Sequence, residues 1–129
     1  MLKLNQLELT RIVAKPSALD ASPWASDALV LRTAPDEALV QGTVDQTAVS
    51  DPYAIIERET GFFGGWITKD AATQLLISHC EWDWRPQSSP AFKQGSIADI
   101  ATKLVFDEEK VLFVVPAVYA HEFEERMGD

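Results

Sequence analysis

The run "SIADIATKLVFDEEKVLFVV", residues 96–115, decides the class of fold that this sequence predicts. Its first half carries apolar or threonine side chains at every second position, with Asp99 and Lys103 between them, as in a strand with one buried face. The second half, "VLFVV", is continuously apolar, which is typical of a central strand. The acidic "DEEK" between the halves reads as a turn. The run therefore predicts a hairpin in the middle of a sheet, with one buried face formed by Ala98, Ile100, Thr102, Leu104 and Phe106.

Other strands are predicted upstream of this hairpin. "ALVLR" and "ALV" flank a turn at Pro35 and Asp36, which predicts a second hairpin within residues 28–42. "YAIIERE" and "FFGGWIT" suit two further strands that turn at Thr60 and Gly61. The pair Gly64–Gly65 in the second of these strands indicates a bulge or a close approach of another backbone. Leu7 and Leu9 alternate with polar residues and suggest a short strand or an arm.

Two helices complete the pattern. Thr68 is placed as the N-cap of a helix that ends near Cys80, and Pro116 suits the first position of a helix that ends near Gly128. Between the first helix and the hairpin, "EWDWR" alternates strictly and predicts a strand with Trp82 and Trp84 on one face. The order of elements predicts an α+β fold, with one antiparallel sheet and two helices packed on one face.

Length and charge narrow the possible organisation and partners. The 129 residues suit a single domain, with an N-terminal arm and loop over 1–27 and an α+β body over 28–127. The net charge of −9 disfavours nucleic acid and anionic membrane as partners. No apolar run reaches the length of a membrane span, and polar residues interrupt the N-terminal stretch where a signal core would lie. With Cys80 as the single cysteine, we expect a cytoplasmic protein.

The segment from His79 to Asp83 is the part of the chain that most resembles a reactive site. A zinc site needs three or four converging ligands, and neighbouring residues at a helix end point about 100° apart. A Cys–His nucleophile pair fails for the same reason, although His121 could approach Cys80 from the second helix. We therefore predict no metal site and no catalytic residue, and we interpret Cys80 as a small buried residue.

Carboxylates on the predicted strands offer a second possible chemistry. Two carboxylates that share a proton could supply an acid or a base. Arg58 and Arg85 stand among them, which favours a solvated strand face instead. The carboxylates concerned are Glu57, Glu59, Glu81 and Asp83.

A series of positions between Ala28 and Met127 follows the order and spacing of a known family's motifs. After the "LRTAPDEALVQG" hairpin these positions are Gly61, Cys80, Trp82-Asp83-Trp84, Phe92 and Gly95. In this order the chain resembles the gamma subunit of heterotetrameric sarcosine oxidase and the related folate-binding domain of aminomethyltransferases. In that family a strand carrying a glycine leads into a helix that ends in Gly-Cys, a Leu-Asp-Leu strand follows, and a Phe then precedes a Gly. The hairpin resembles the family's Gly-Pro-Asp-Glu hairpin.

The resemblance implies an accessory subunit that adds no reactive groups of its own. Its partner would be a larger flavoprotein amine oxidase, or a further copy of the chain if it self-associates. In the family the Leu-Asp-Leu side chains are scaffold, so Trp82 and Trp84 are expected to pack inward, and no cofactor is expected. The alternative is a domain with a minor enzymatic role that binds folate or a one-carbon amine on the aromatic faces of Trp66, Trp82 and Trp84. No residue matches the acid that serves folate chemistry in the aminomethyltransferases.

Overall fold

A computed structural model describes residues 2–128, which fold into two compact units. One unit is Leu7–Thr60, and the other combines residues 2–6 with residues 61–128. The strands in chain order are β1 (Asn5–Gln6), β2 (Leu9–Val13), β3 (Val30–Ala34), β4 (Glu37–Gln41), β5 (Ile55–Glu59), β6 (Phe62–Thr68), β7 (Ala91–Ile97), β8 (Ile100–Phe106) and β9 (Lys110–Pro116). The helices are α1 (Pro16–Asp20), α2 (Lys69–His79) and α3 (Ala120–Gly128), with 3-10 turns at Gln46–Ala48 and Ala117–Tyr119.

The unit Leu7–Thr60 is a four-stranded antiparallel sheet in the order β3-β4-β2-β5. The predicted hairpin is confirmed, because β3 and β4 are joined by a turn at Pro35 and Asp36. Strand β2 lies in the stretch interpreted as an arm, and it pairs on both sides along its whole length. Its Ile12 is fully buried in a cluster with residues from β4 and α1.

The other unit is a five-stranded antiparallel sheet in the order β1-β6-β9-β8-β7. The central position of "VLFVV" is confirmed, since β9 is the middle strand and its five residues are buried. The buried face of β8 is confirmed from Ile100 to Phe106. Ala98 packs against the same core, but it precedes the strand. It forms a tight turn with Asp99, where both residues have positive φ angles of 50° and 65°, and this turn leads from β7 into β8.

Both longer helices pack on the same face of the five-stranded sheet. The core on that face joins Leu76 of α2 and Phe123 of α3 to Phe113 of β9. Helix α2 begins where it is predicted to begin, because the Thr68 hydroxyl accepts a hydrogen bond from the Ala71 N–H at 3.3 Å. Pro116, predicted as the first helical residue, instead ends β9. The α+β class with helices on an antiparallel sheet is confirmed.

The number of sheets differs from the prediction. Strands β5 and β6 do not form a hairpin with each other, because β5 pairs with β2 and β6 pairs with β1 and β9. The chain therefore passes from one sheet to the other at Thr60 and Gly61, and the nine strands described in residues 2–128 form two sheets instead of one. The close backbone approach is confirmed at Gly65, where an added Cβ would lie 2.2 Å from the carbonyl oxygen of Lys3. The prediction of one domain over residues 1–129 stays a prediction.

Candidate functional site

The segment that carries Trp82 and Trp84 is irregular rather than a strand. Its side chains still alternate as predicted, with Trp84 buried, Trp82 half-buried, and the charged residues between and beside them exposed. Local hydrogen bonds hold this segment in place, where a strand would have hydrogen bonds to a neighbouring strand. The Arg85 N–H bonds to the Asp83 carboxylate at 3.2 Å, and the Lys93 ammonium donates to the carbonyl of Arg85 at 3.0 Å. Strand β7, which was not predicted, pairs with β8 at the edge of the described sheet.

Trp84 is a core residue. It is 8% exposed, and its ring stacks on Phe106 of β8 with centroids 6.4 Å apart and an interplanar angle of 11°. The Arg85 guanidinium lies 4.9 Å from the Trp84 ring centroid. The aromatic stacking and the guanidinium together leave little of this ring for a ligand.

Trp82 packs flat against a glycine of β7. An added Cβ at Gly95 would lie 2.7 Å from the indole, so any larger residue there would force the ring to move. The indole Nε1–H donates to the carbonyl of Ser96 at 2.8 Å. Gly95, singled out from the family pattern, thus provides the flat surface on which Trp82 rests.

Trp66 does not join the other two tryptophans. It lies on β6 directly opposite Leu112, whereas Gly95 and Trp82 lie on the face of the five-stranded sheet that packs against α2 and α3. Successive residues of a strand face opposite sides, and Leu112 alternates with Phe113, which packs against α3. Trp66 is 40% exposed, and the Lys110 ammonium lies 4.4 Å from its ring centroid. The three predicted ligand-binding residues therefore do not share one site.

A surface cleft of about 390 Å³ lies beside Trp82. Its walls combine one aromatic ring with an imidazole and two carboxylates, on Trp82, His79, Glu81 and Asp99, together with Ser96 and Ala98. The Arg126 guanidinium donates to the Ala98 carbonyl on the turn that forms one wall. An aromatic face beside carboxylates suits a small organic cation.

Cys80 is half-buried at the end of α2, and its thiol lies 3.6 Å from the carbonyl oxygen of Trp82. Burial raises the pKa of the Cys80 thiol, with the neighbouring Glu81 charge as a smaller cause in the same direction. The thiol is therefore protonated at neutral pH and is a poor nucleophile. Across residues 2–128, no three or more His, Cys, Asp and Glu side chains are grouped to hold a metal ion.

Three glutamates of the unit Leu7–Thr60 are paired with arginines. Arg11 of β2 bonds to Glu37 at 2.8 Å and to Glu57 at 2.9 Å, and Arg58 bonds to Glu8 at 2.9 Å. The two glutamates beside Arg11 raise its pKa, mainly through these hydrogen bonds. Such pairs fit the solvated strand face that the sequence favours, and they supply no proton-sharing carboxylate pair.

A feature that the sequence analysis missed is the exposed aromatic Tyr53. Its side chain is 90% exposed, and it lies two residues before the start of β5. The signal was present as "SDP", since an Asp-Pro pair favours a fixed turn.

In residues 2–128 no helix combines the length and apolar character that a membrane span requires.

Comparison with known proteins places the fold. No protein-family model and no curated protein sequence matches the chain. Among solved structures, a chain of the heterotetrameric sarcosine oxidase from Corynebacterium sp. U-96, in complex with pyrrole 2-carboxylate, superposes with a TM-score of 0.71. The match has 18% sequence identity and covers 98% of this chain and 84% of that chain. The chain therefore has the fold of a sarcosine oxidase subunit, as the resemblance implied.

Proposed function

We propose that this chain is an accessory subunit, without catalytic activity of its own, that docks on a larger flavoprotein amine oxidase. The observation that carries the proposal is the likeness of 98% of the chain to one chain of a heterotetramer. The likeness covers 98% of this chain and 84% of that chain, so it extends over most of one subunit. We further propose that the chain corresponds to the gamma subunit, because its motifs between Ala28 and Met127 follow the order seen in that family.

The chemistry of the best candidate residues supports an accessory role. Trp84 and Trp82 serve the packing of β8 and β7, and the pKa of the Cys80 thiol is raised, the reverse of what a nucleophile needs. A general acid or base works best when its pKa lies near the working pH and when it faces its substrate. The raised pKa of the Cys80 thiol does not meet the first of these conditions. The net charge of −9 favours a partner with a basic surface over nucleic acid or anionic membrane, and the proposal places the complex in the cytoplasm.

Purification of the tagged chain from its native host tests this function. We expect a larger flavin-containing protein to co-elute in a fixed ratio, with flavin absorbance in the same peak. A tagged, unrelated protein of similar size and charge is the control for charge-driven capture. A chain that stays monomeric at every concentration, with no flavoprotein in the eluate, would contradict the proposal, and a dimer alone would replace it with self-association.

A second candidate function is the binding of a folate or a one-carbon amine in the cleft beside Trp82. The observation in its favour is the combination of an indole with the carboxylates of Glu81 and Asp99 around about 390 Å³. Titration with folates and with methylated amines, followed by tryptophan fluorescence, tests it. Binding predicts quenching that is lost in Glu81→Gln and kept in Trp66→Phe. Fluorescence that does not change at millimolar ligand would remove this function.

A further inference from the structure

Two exposed apolar side chains stand together at the start of β5. Tyr53 is 90% exposed and Ile55 is 51% exposed, although most large apolar residues described in this chain are buried. Tyrosine is among the residues that contribute most to protein interfaces, because it has a large contact area and few rotatable bonds. Single apolar residues are common on protein surfaces, but two exposed ones this close together indicate a candidate contact surface.

The turn that carries Tyr53 is held by one carboxylate. Asp51 accepts the N–H of Tyr53 on one oxygen and the N–H of Lys15 on the other, both at 2.9 Å. Its carbonyl accepts the N–H of Ala54 at 3.1 Å, and Pro52 fixes the backbone between them. The backbone is thus preorganised while the ring stays in water. Preorganisation reduces the entropy that a side chain loses when it binds.

Strand β5 is an edge of its sheet. Among the described strands it pairs only with β2, so its other side presents backbone N–H and C=O groups that can pair with an added strand. All five residues of β5 are exposed or half-exposed. Addition of a strand to such an edge is a common mode of peptide recognition.

The charges along β5 indicate what kind of strand would fit. Ile55 and Glu57 point to the same face, two residues apart. Glu57 and Glu37 share the single guanidinium of Arg11, so this group of three has two negative charges and one positive charge. The Glu57 side chain is 54% exposed, and a carboxylate has room to accept a second cation on its other oxygen. A basic side chain beside Glu57 would neutralise the group.

We propose that the edge formed by Tyr53, Ile55 and Glu57 binds an extended segment of a partner protein as an added strand. The segment places an apolar side chain beside Ile55 and a lysine or arginine beside Glu57, and its flank contacts Tyr53. This surface is the docking site of the accessory subunit, so the inference rests on the proposed function. A second copy of the chain is the poorer occupant, since antiparallel pairing of β5 over its full length sets Glu57 opposite the Glu57 of that copy.

A synthetic peptide tests the surface without the natural partner. Thr-Val-Thr-Lys-Thr-Val-Thr reads the same in both directions, so in either orientation it sets lysine beside Glu57 and valine beside Ile55. Titrated into the isotope-labelled full chain at millimolar concentration, it is expected to shift the NMR signals of residues 53–59 and to slow amide exchange in β5. A peptide with glutamate for lysine, and one with proline for two threonines, are expected to bind at least ~10-fold more weakly.

Variants then locate the contact. Tyr53→Ser and Ile55→Thr are expected to weaken peptide binding about 10-fold, and Val118→Ser, which is 85% exposed in the other compact unit, is the matched control. Equal binding of the basic and acidic peptides, or shifts centred away from residues 53–59 and the neighbouring Arg11 and Glu37, would overturn the inference. So would a dimer of the chain that Ile55→Lys abolishes. Because no flavoprotein is present, this result is independent of the co-purification: a complex that Tyr53→Ser leaves intact refutes the surface alone.

Discussion

Replacing Trp84 by alanine tests whether this residue stabilises the fold or binds a ligand. Trp84 is 8% exposed and stacks on Phe106, whereas Trp66 is 40% exposed on the opposite face of the five-stranded sheet. If the tryptophans serve the fold, their loss should follow burial. If they serve a ligand, stability should change little and binding should be lost.

The expected cost follows from the area that the ring removes from water. A buried aromatic side chain covers about 150–250 Å², which at about 25 cal/mol per Å² is worth about 4–6 kcal/mol as an upper bound. Alanine keeps the Cβ, and neighbours partly close the cavity, so we expect Trp84→Ala to lower the free energy of unfolding by about 3–5 kcal/mol. Trp66 keeps 40% of its surface in water, so by the same area argument Trp66→Ala should cost less, about 2 kcal/mol, part of it from the contact with Lys110.

Urea unfolding followed by far-UV circular dichroism measures these differences. Proteins of this size are stable by only about 5–15 kcal/mol, so a loss of about 3–5 kcal/mol removes a large share of the stability and should lower the urea midpoint strongly. Trp84→Phe keeps an aromatic ring over Phe106 and removes less volume, so it should cost less than Trp84→Ala, about 1–2 kcal/mol. A loss below about 1 kcal/mol in Trp84→Ala, or an equal loss in Trp66→Ala, would refute the interpretation of Trp84 as core.

Three further predictions follow from the geometry. Gly65→Ala places a Cβ against the carbonyl of Lys3, so we expect proteolysis near residues 2–6 to accelerate, whereas Gly128→Ala, with open space around its Cβ, should not change it. The raised pKa of the Cys80 thiol predicts that iodoacetamide alkylation at pH 7 is slower than that of a free cysteine and speeds up at alkaline pH or in urea; equal rates would contradict it. Hydrogen bonds from the Lys15 and Tyr53 N–H groups lower the pKa of Asp51, so the turn should be stable above the carboxyl's ordinary pKa and loosen only as pH falls through the lowered one; carbon NMR of Asp51 measures this, and an ordinary midpoint would contradict it.

The local pattern of apolar residues in the sequence was sufficient to predict the central strand of the five-stranded sheet and helix α2. The continuous apolar run of β9 has one arrangement that buries both its faces, which is the middle of a sheet, and its burial confirms this. The Thr68 cap and the side chains of Ala72 and Leu76 likewise follow from spacing along a helix. These elements are determined by residues close together in sequence.

The division of the strands into two sheets could not be predicted from the local sequence pattern. Strands β5 and β6 are separated by two residues, and that spacing favours a hairpin on local grounds. Each strand instead finds partners distant in sequence, β5 on β2 and β6 on β9. Strand β7 was missed because its "AFKQGSI" has weak alternation, and its glycine is explained only by the indole of Trp82 that rests on it. Pairings of this kind depend on side chains that sequence spacing does not bring together.

The size of the β5 edge sets how tightly it can hold a partner. A stable interface covers roughly 800 Å² of each partner, which is about a tenth of the 7674 Å² surface of this chain. Five strand residues and Tyr53 cover only part of that area, so a free seven-residue peptide should bind weakly while a whole subunit binds tightly. The same side chains should nevertheless matter in both, because a preorganised aromatic residue in an interface contributes more binding energy than its share of the area. A Tyr53→Ser variant that weakened the peptide but left the complex unchanged would place the main docking area on another surface of the chain.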